Sequence, residues 1–172
     1  DDKRYDTLEQ LYNIAKPIPQ MRLYIVEASM LSNAGAGIVK ELAYALAWGA
    51  EVLDQMVARG HNVEEIAQRI KFHFGISSSY FMEMAKFRAA RWLWAEIIGA
   101  HGDQYKGDAA KICQHATTSQ WNMTIYDAYV NLLRSQTETM SAALGGVDSI
   151  TVLPFNIAYE ESTDFSERIA RN

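Results

Sequence analysis

The 172 residues are 49% apolar and 22% charged, which is the make-up of a globular domain able to bury one ordinary core and unlike that of a disordered chain. A net charge of −5 with scattered Lys and Arg argues against a nucleic-acid footprint, and no apolar run approaches the ~20 residues of a membrane span. Cys113 is the single cysteine, so an internal disulfide or a cysteine metal cluster is excluded, as suits a reducing cytoplasm, and the first residue, Asp1, follows no signal-peptide pattern and reads as the start of an excised piece or processed product.

Residues 1–21 read as a lead-in. Leu8, Leu11, Tyr12 and Ala15 recur at helical spacing between Tyr5 and Lys16, and Pro17 and Pro19 stop the helix. Arg22 to Glu27 (RLYIVE) is a β-rich run, after which Ser29, Ser32 and Asn33 offer a turn or cap. From Gly37 to Ala58 an apolar stripe through Ile38, Leu42, Ala45, Leu46, Leu53, Met56 and Val57 predicts a helix packed on a sheet, closed by Gly60. A brief polar helix over 62–68 leads into Ile70 to Ile76, where KFHFGI alternates with the period of a strand.

Ser77, Ser78 and Ser79 are candidate N-caps for a helix over Tyr80 to Ile98; holding a phosphate there is the less favoured reading. That helix carries apolar residues on more than one face, with a surplus from Trp92 to Ile98 that suits either a large core or a second packed surface. Arg88 and Arg91 lie within it and read as surface or subunit contacts. Glycines at 99, 102 and 107 mark a connection to Lys111–Ala116, the third strand-like run.

The stretch Lys111–Thr124 (KICQHATTSQWNMT) passes from that strand through a hydroxyl-rich turn, and loops at strand C-terminal ends are where α/β folds hold ligands, so His115, Thr117, Thr118 and Ser119 are candidate binding groups. Thr124 and Asp127 have capping-box spacing for a helix carrying Tyr129, Val130, Leu133, Thr137, Met140 and Leu144, ended by Gly145 and Gly146. Ser149–Leu153 is a fourth strand candidate, and a last helix begins at Thr163. His61, His73 and His101 lie far apart without an adjacent carboxylate or Cys pattern, so no metal site is expected, and Cys113 reads as a small core residue.

Strand and helix therefore alternate four times over 22–172, which predicts an α/β fold of parallel strands: about half, four β/α units, of a (β/α)8 barrel. An unclosed half exposes strand edges and an inner wall, so the piece is expected to self-associate.

Several blocks carry a family resemblance over roughly residues 22–172: Asn33-Ala34-Gly35-Ala36 after the first strand, FMEMAKFRAARWLW from Phe81 to Trp94, His115 with Thr118-Ser119 and Trp121, and TDFSERIARN from Thr163 to Asn172. Together they resemble the methylmalonyl-CoA mutase family. The resemblance implies a central piece of the acyl-CoA-binding barrel of an isomerase that interconverts methylmalonyl-CoA and succinyl-CoA with adenosylcobalamin. It also implies a separate cobalamin domain bearing D-x-H-x-x-G, a motif absent from this chain, so no cofactor is expected to be bound by this piece.

The catalytic pattern of the family has Tyr-His shortly before the A-G-A block, where this chain has Ser29 and Met30. Methionine donates no proton, and a positioned acid or base contributes ~100 to 10,000-fold. In R-T-H-x-Q-T-S-G-W-S-L-T, the Arg and the active-site Gln become Cys113 and Thr117, and the acyl-CoA-contacting Arg-x-Ser becomes Arg69-Ile70-Lys71. The resemblance leaves Arg69, Lys71, His115 and Ser119 as candidate acyl-CoA contacts, with no catalytic residue. These losses resemble the small, non-catalytic subunit of the family's heterodimeric members, whose partner is a catalytic large subunit. The alternative is a catalytic acyl-CoA isomerase domain completed by residues from elsewhere, and an unrelated parallel α/β module is a weaker third reading.

Overall fold

The structure, a computed structural model, describes residues 2–172. Its elements are α1 (Asp2–Ala15), β1 (Tyr24–Glu27), α2 (Ser29–Asn33), α3 (Ile38–Ala58), α4 (Val63–Ala67), β2 (Ile70–Ile76), α5 (Tyr80–Gly99), β3 (Gln114–Thr118), α6 (Val130–Gly145), β4 (Ser149–Thr151) and α7 (Asp164–Arg171), with two single 3-10 turns between α5 and β3. The strands form one parallel sheet in the order β1-β2-β3-β4. Consecutive strands as neighbours, each joined through helix, is the arrangement of a β/α barrel and not of a doubly wound sheet, whose order reverses at a switch point. The expected four-unit half-barrel is thus the architecture observed.

The period of two along each strand divides the sheet into two faces. Tyr24, Val26, Ile70, Phe72, Phe74 and Ala116 are buried beneath α3, α5 and α6. Ile25, Glu27, Lys71, His73, His115, Thr117, Ser149 and Thr151 alternate with them and line the opposite, inner wall. Apart from Ile25, every side chain on that wall is polar, with Gly75 contributing none, so the core lies between sheet and helices.

Helix bounds follow local chemistry. Asn62 caps α4 by accepting from the Glu64 and Glu65 amides at 2.8 and 3.3 Å, and Gly146 ends α6 in the left-handed conformation, φ 82°. Thr163 and Ser166 form a capping box at α7.

Several expectations are corrected. Ser29–Asn33 is a short helix and not a turn. None of Ser77–Ser79 caps α5 through its hydroxyl; the Glu83 carboxylate takes the Ser77 amide instead, at 2.8 Å. The third strand starts at Gln114 because Lys111 closes a 3-10 turn on Asp108, and it extends to Thr118 by pairing Thr117 and Thr118 with Gly75 and Ile76. Thr124 and Asp127 form no capping box: Thr124 Oγ1 accepts from the Tyr126 amide, Asp127 has φ 50°, and α6 begins only at Val130.

The largest departure is the face that α6 presents. Leu133, Met140 and Leu144 point outward, while Asn131, Ser135, Glu138, Ser141, Ala142 and Gly145 are buried. Small side chains allow α6 to approach α5 closely, since a Cβ on Gly145 would lie 2.8 Å from Phe87 Cδ2. On α5 the apolar surplus divides: Trp94 and Ile98 enter the core and Trp92 stays exposed, as does Phe81 at the start of the helix.

Candidate functional site

The inner wall is joined by hydrogen bonds across the strands. His73 Nδ1 lies 2.6 Å from Glu27 Oε2 and His73 Nε2 lies 2.5 Å from Thr117 Oγ1, so one imidazole links β1, β2 and β3. Ser29 donates to the other Glu27 oxygen. His115 Nδ1 lies 2.7 Å from Ser149 Oγ and its Nε2 3.1 Å from Thr151 Oγ1, which joins β3 to β4. The two imidazoles meet edge to face with ring centroids 4.6 Å apart. Parallel register makes this possible: His73 is opposite both Glu27 and His115, and His115 is opposite Ser149.

Burial holds the His115 pKa below the ordinary 6.5, Lys71 and His73 lower it further by repulsion, and Glu27 opposes them. His115 is therefore neutral at pH 7. In an NMR titration its midpoint is expected below that of an unperturbed histidine, and Lys71→Met is expected to raise it. A midpoint unmoved by that substitution would contradict the placement of Lys71 on this wall.

The carried-over candidates separate along the strands. Lys71 and His115 share the inner wall, and Lys71 makes no ion pair among the described residues. Arg69 lies just before β2, 5% exposed, where its guanidinium donates to the Ala15, Ile18 and Lys16 carbonyls and stacks on Tyr12. Ser119 is at the other end of the sheet, buried, with its Oγ accepting from the Trp121 amide at 3.0 Å. Met30, on α2, is 58% exposed. Thr117 and Thr118 belong to the strand itself: Thr117 faces the inner wall, and Thr118 takes the Leu153 amide.

Beyond the C-terminal strand ends, a pocket of about 500 Å³ lies between Ser32, the Gly35–Lys40 segment, Ser77–Ser79, Ser119 and Trp121. Trp121 closes one side by packing on Gly35, where φ is +89° and a Cβ would lie 3.3 Å from the indole. Three buried helix carboxylates hold the C-terminal end of β2 and the loops that leave β2 and β3. Glu41 from α3 accepts from the Gly75 amide at 2.7 Å, Glu83 from α5 accepts from Ser77, and Glu138 from α6 accepts from Ser119 at 2.8 Å. Lys86 bridges the first two at 2.7 and 2.6 Å.

Glu138 has no such cation. Burial raises its pKa to about 7, with Glu83 adding repulsion, against the Asn122 and Ser119 hydrogen bonds and Arg134. The folded protein keeps this proton between about pH 4.5 and 7 while the unfolded chain releases it, so the contribution is full below 4.5 and is lost as pH rises to 7. Glu138→Gln removes the titration; its stability relative to the parent is expected to climb by roughly 3 kcal/mol across that window in urea unfolding. A pH-independent difference would refute this assignment.

Sequence reasoning missed Glu27, His73 and the three helix carboxylates. His61, His73 and His101, which have no adjacent carboxylate pattern in the sequence, each meet a distant one in the fold: Glu9 at 3.2 Å, Glu27, and Asp54 at 3.3 Å. No group of three or more metal-ligating side chains occurs among the described residues. None of their helices is long and apolar enough to cross a membrane.

The family model for methylmalonyl-CoA mutase matches residues 5–172. Over 158 residues the chain is 67% identical to the methylmalonyl-CoA mutase small subunit of Porphyromonas gingivalis, covering 92% of this chain and 26% of that protein. It is 42% identical over 161 residues to the small subunit from Propionibacterium freudenreichii, covering 92% and 25% of the two chains. Against that organism's large subunit the identity is 36% over 155 residues, covering 90% and 21%. The chain spans about a quarter of the length of the curated relatives it matches.

Proposed function

We propose, since the chain belongs to the methylmalonyl-CoA mutase family, that it is part of a small subunit that assembles with a catalytic large subunit and turns over no acyl-CoA itself. One observation carries this reading: Met30 stands exposed just beyond β1, where the family resemblance calls for the catalytic histidine. A thioether donates no proton and only weakly accepts hydrogen bonds. The loss of such a group removes ~100 to 10,000-fold of rate. Thr117, at the position matched to the active-site Gln, has its hydroxyl engaged by His73.

Adenosylcobalamin is the cofactor of the family, and the residues of this chain do not fit its ligation. His61 and His101 are paired with Glu9 and Asp54, and both ring nitrogens of His73 and His115 have wall partners. On the inner wall neither imidazole has a ring nitrogen without a partner to offer a cobalt ion, so no step is routed through the cofactor here. Residues 22–172 then serve as four units of a barrel completed by the remainder of the polypeptide, with 1–21 as the lead-in, in a cytoplasmic heterodimer.

The test is methylmalonyl-CoA turnover by the full-length polypeptide carrying these residues, alone and mixed with the large subunit in the presence of adenosylcobalamin. No turnover alone and turnover in the mixture are expected; turnover by the isolated polypeptide overturns the proposal. A second reading, an acyl-CoA-binding domain of a catalytic isomerase, draws on the free Lys71 ammonium beside His115 alone, since Arg69 and Ser119 are buried at opposite ends of the sheet with their polar groups engaged. Saturable binding of desulfo-CoA, lost in Lys71→Met, would favour it.

The 172-residue piece by itself exposes the wall residue Ile25 and, on α5, Phe81 and Trp92. It is expected to self-associate, and a strictly monomeric mass by light scattering at high concentration would count against that.

A further inference from the structure

The segment that follows β3 has no regular structure from Ser119 to Tyr129, yet it walls the pocket beyond the strand ends through Trp121. Side chains hold its first turn at three points. Glu138 Oε2 accepts the Ser119 amide, Glu138 Oε1 accepts Asn122 Nδ2 at 2.6 Å, and Asn33 Oδ1 accepts the Gln120 amide at 3.1 Å. Two of these bonds end on one carboxyl group that is 1% exposed.

The partner side of that carboxyl group is incomplete. Asn122 Oδ1 is buried and has no hydrogen-bond partner. With Glu138 ionised, the Asn122 carboxamide presents its NH2 to the carboxylate and leaves its own oxygen orphaned. With Glu138 protonated, the carboxyl O–H needs an acceptor, and a half-turn of the carboxamide brings that oxygen to it. Each protonation state therefore has one matching amide orientation.

The charged surroundings favour the neutral state. Arg134, on the same helix, is drawn aside to Asn131 Oδ1 at 3.0 Å. From α5, Glu83 faces Glu138 with its own charge; Lys86 is bound to Glu83 and to Glu41 from α3. The residues hydrogen-bonded to the Glu138 carboxyl group, Ser119 and Asn122, are not titratable, and neither is Asn33 from α2, which holds the same turn.

From this geometry we infer that Glu138 and Asn122 form a proton-operated latch, in which the neutral carboxyl group holds residues 119–124 closed over the pocket and loss of its proton favours local opening. Opening hydrates Glu138, and a hydrated carboxyl group releases its proton more readily than the buried one, so a rise in pH shifts the equilibrium toward the open form. The strand ends are thereby uncovered at neutral to alkaline pH and covered at acid pH. No contact with substrate or partner is needed for the effect, since it is set by groups inside this chain.

Hydrogen–deuterium exchange of the full-length polypeptide, read by mass spectrometry and corrected for intrinsic pH dependence, tests the latch. The peptide covering 119–124 is expected to lose about tenfold or more of its protection between pH 5 and pH 7.5, while the β2 peptide over 70–76 is unchanged. Glu138→Gln, whose amide supplies both the acceptor for Ser119 and a donor for Asn122 Oδ1, is expected to stay protected at every pH. A wild-type peptide without the pH-dependent loss, or the same loss in Glu138→Gln, overturns the inference.

Discussion

Lys86→Met is expected to destabilise the fold by about 3–5 kcal/mol, because it removes the one cation from a buried cluster and leaves two carboxylates behind. Lys86 is 2% exposed; its Nζ lies 2.7 Å from Glu41 Oε2 and 2.6 Å from Glu83 Oε2, and it donates to the Gly75 carbonyl at 2.6 Å between the rings of Phe74 and Phe87. The Glu41 pKa is raised chiefly by burial even with Lys86 pulling it down. Without the ammonium both carboxylates repel one another in an apolar setting, and proton uptake becomes their remaining relief. The variant's deficit in urea unfolding is therefore expected to be largest at pH 7 and to shrink at pH 5. A loss under about 1 kcal/mol, unchanged with pH, would show the cluster to be hydrated and the argument wrong. Because Glu41 and Glu83 also receive the Gly75 and Ser77 amides, the same substitution is expected to loosen the C-terminal end of β2, two residues beyond His73.

Much of the fold was legible because it rests on local patterns. The alternation in KFHFGI places Phe72 and Phe74 under the helices and Lys71 and His73 on the inner wall, as found. The length of α3 follows from its apolar stripe, and the chain order of strands follows from alternation with helices. The buried charges were hidden because a charged residue on a helix is ordinarily solvated, and Glu41 and Lys86 meet only after 45 residues of chain fold back. Their phase carried a signal nonetheless. Glu83, Lys86, Phe87, Ala90, Trp94 and Ile98 recur at three and four, and all of them are buried. In α6 the same reading fails in the opposite sense: its apolar residues at 133, 140 and 144 form an outward stripe, and the inward one is polar and small. Sequence periodicity reports that two stripes differ but not which of them meets the sheet when close helix packing outweighs hydrophobicity. The wall network was illegible for another reason. Glu27, His73 and Thr117 are brought together by strand register, which no single segment encodes.

The second large effect is expected at the contact of α3 and α5 with β2. Trp94 is fully buried with its ring edge to face against Phe72, centroids 4.8 Å apart, and Gly49 on α3 lies against both. Trp94→Ala removes the largest core side chain and is expected to cost about 3–5 kcal/mol. Gly49→Ala fails for the opposite reason: its Cβ would fall 2.5 Å from Phe72 Cζ and 3.1 Å from Trp94 Cζ3. Crowding there is expected to cost about 1–3 kcal/mol after the gain of about 1 kcal/mol in helix propensity is counted. The two effects should not add. With the indole gone, the Phe72 ring has space to withdraw from the new methyl group, so the double variant is expected to be more stable than the sum of the singles by about 1 kcal/mol or more. Additivity within about 0.3 kcal/mol would mean that Phe72 does not move and that the crowding is relieved elsewhere. Since Phe72 precedes His73 on β2, movement of the ring in Gly49→Ala alone is expected to disturb the hydrogen bond from His73 to Glu27, visible as a changed chemical shift of the His73 Nδ1 proton by NMR, while Trp94→Ala in the same background restores it.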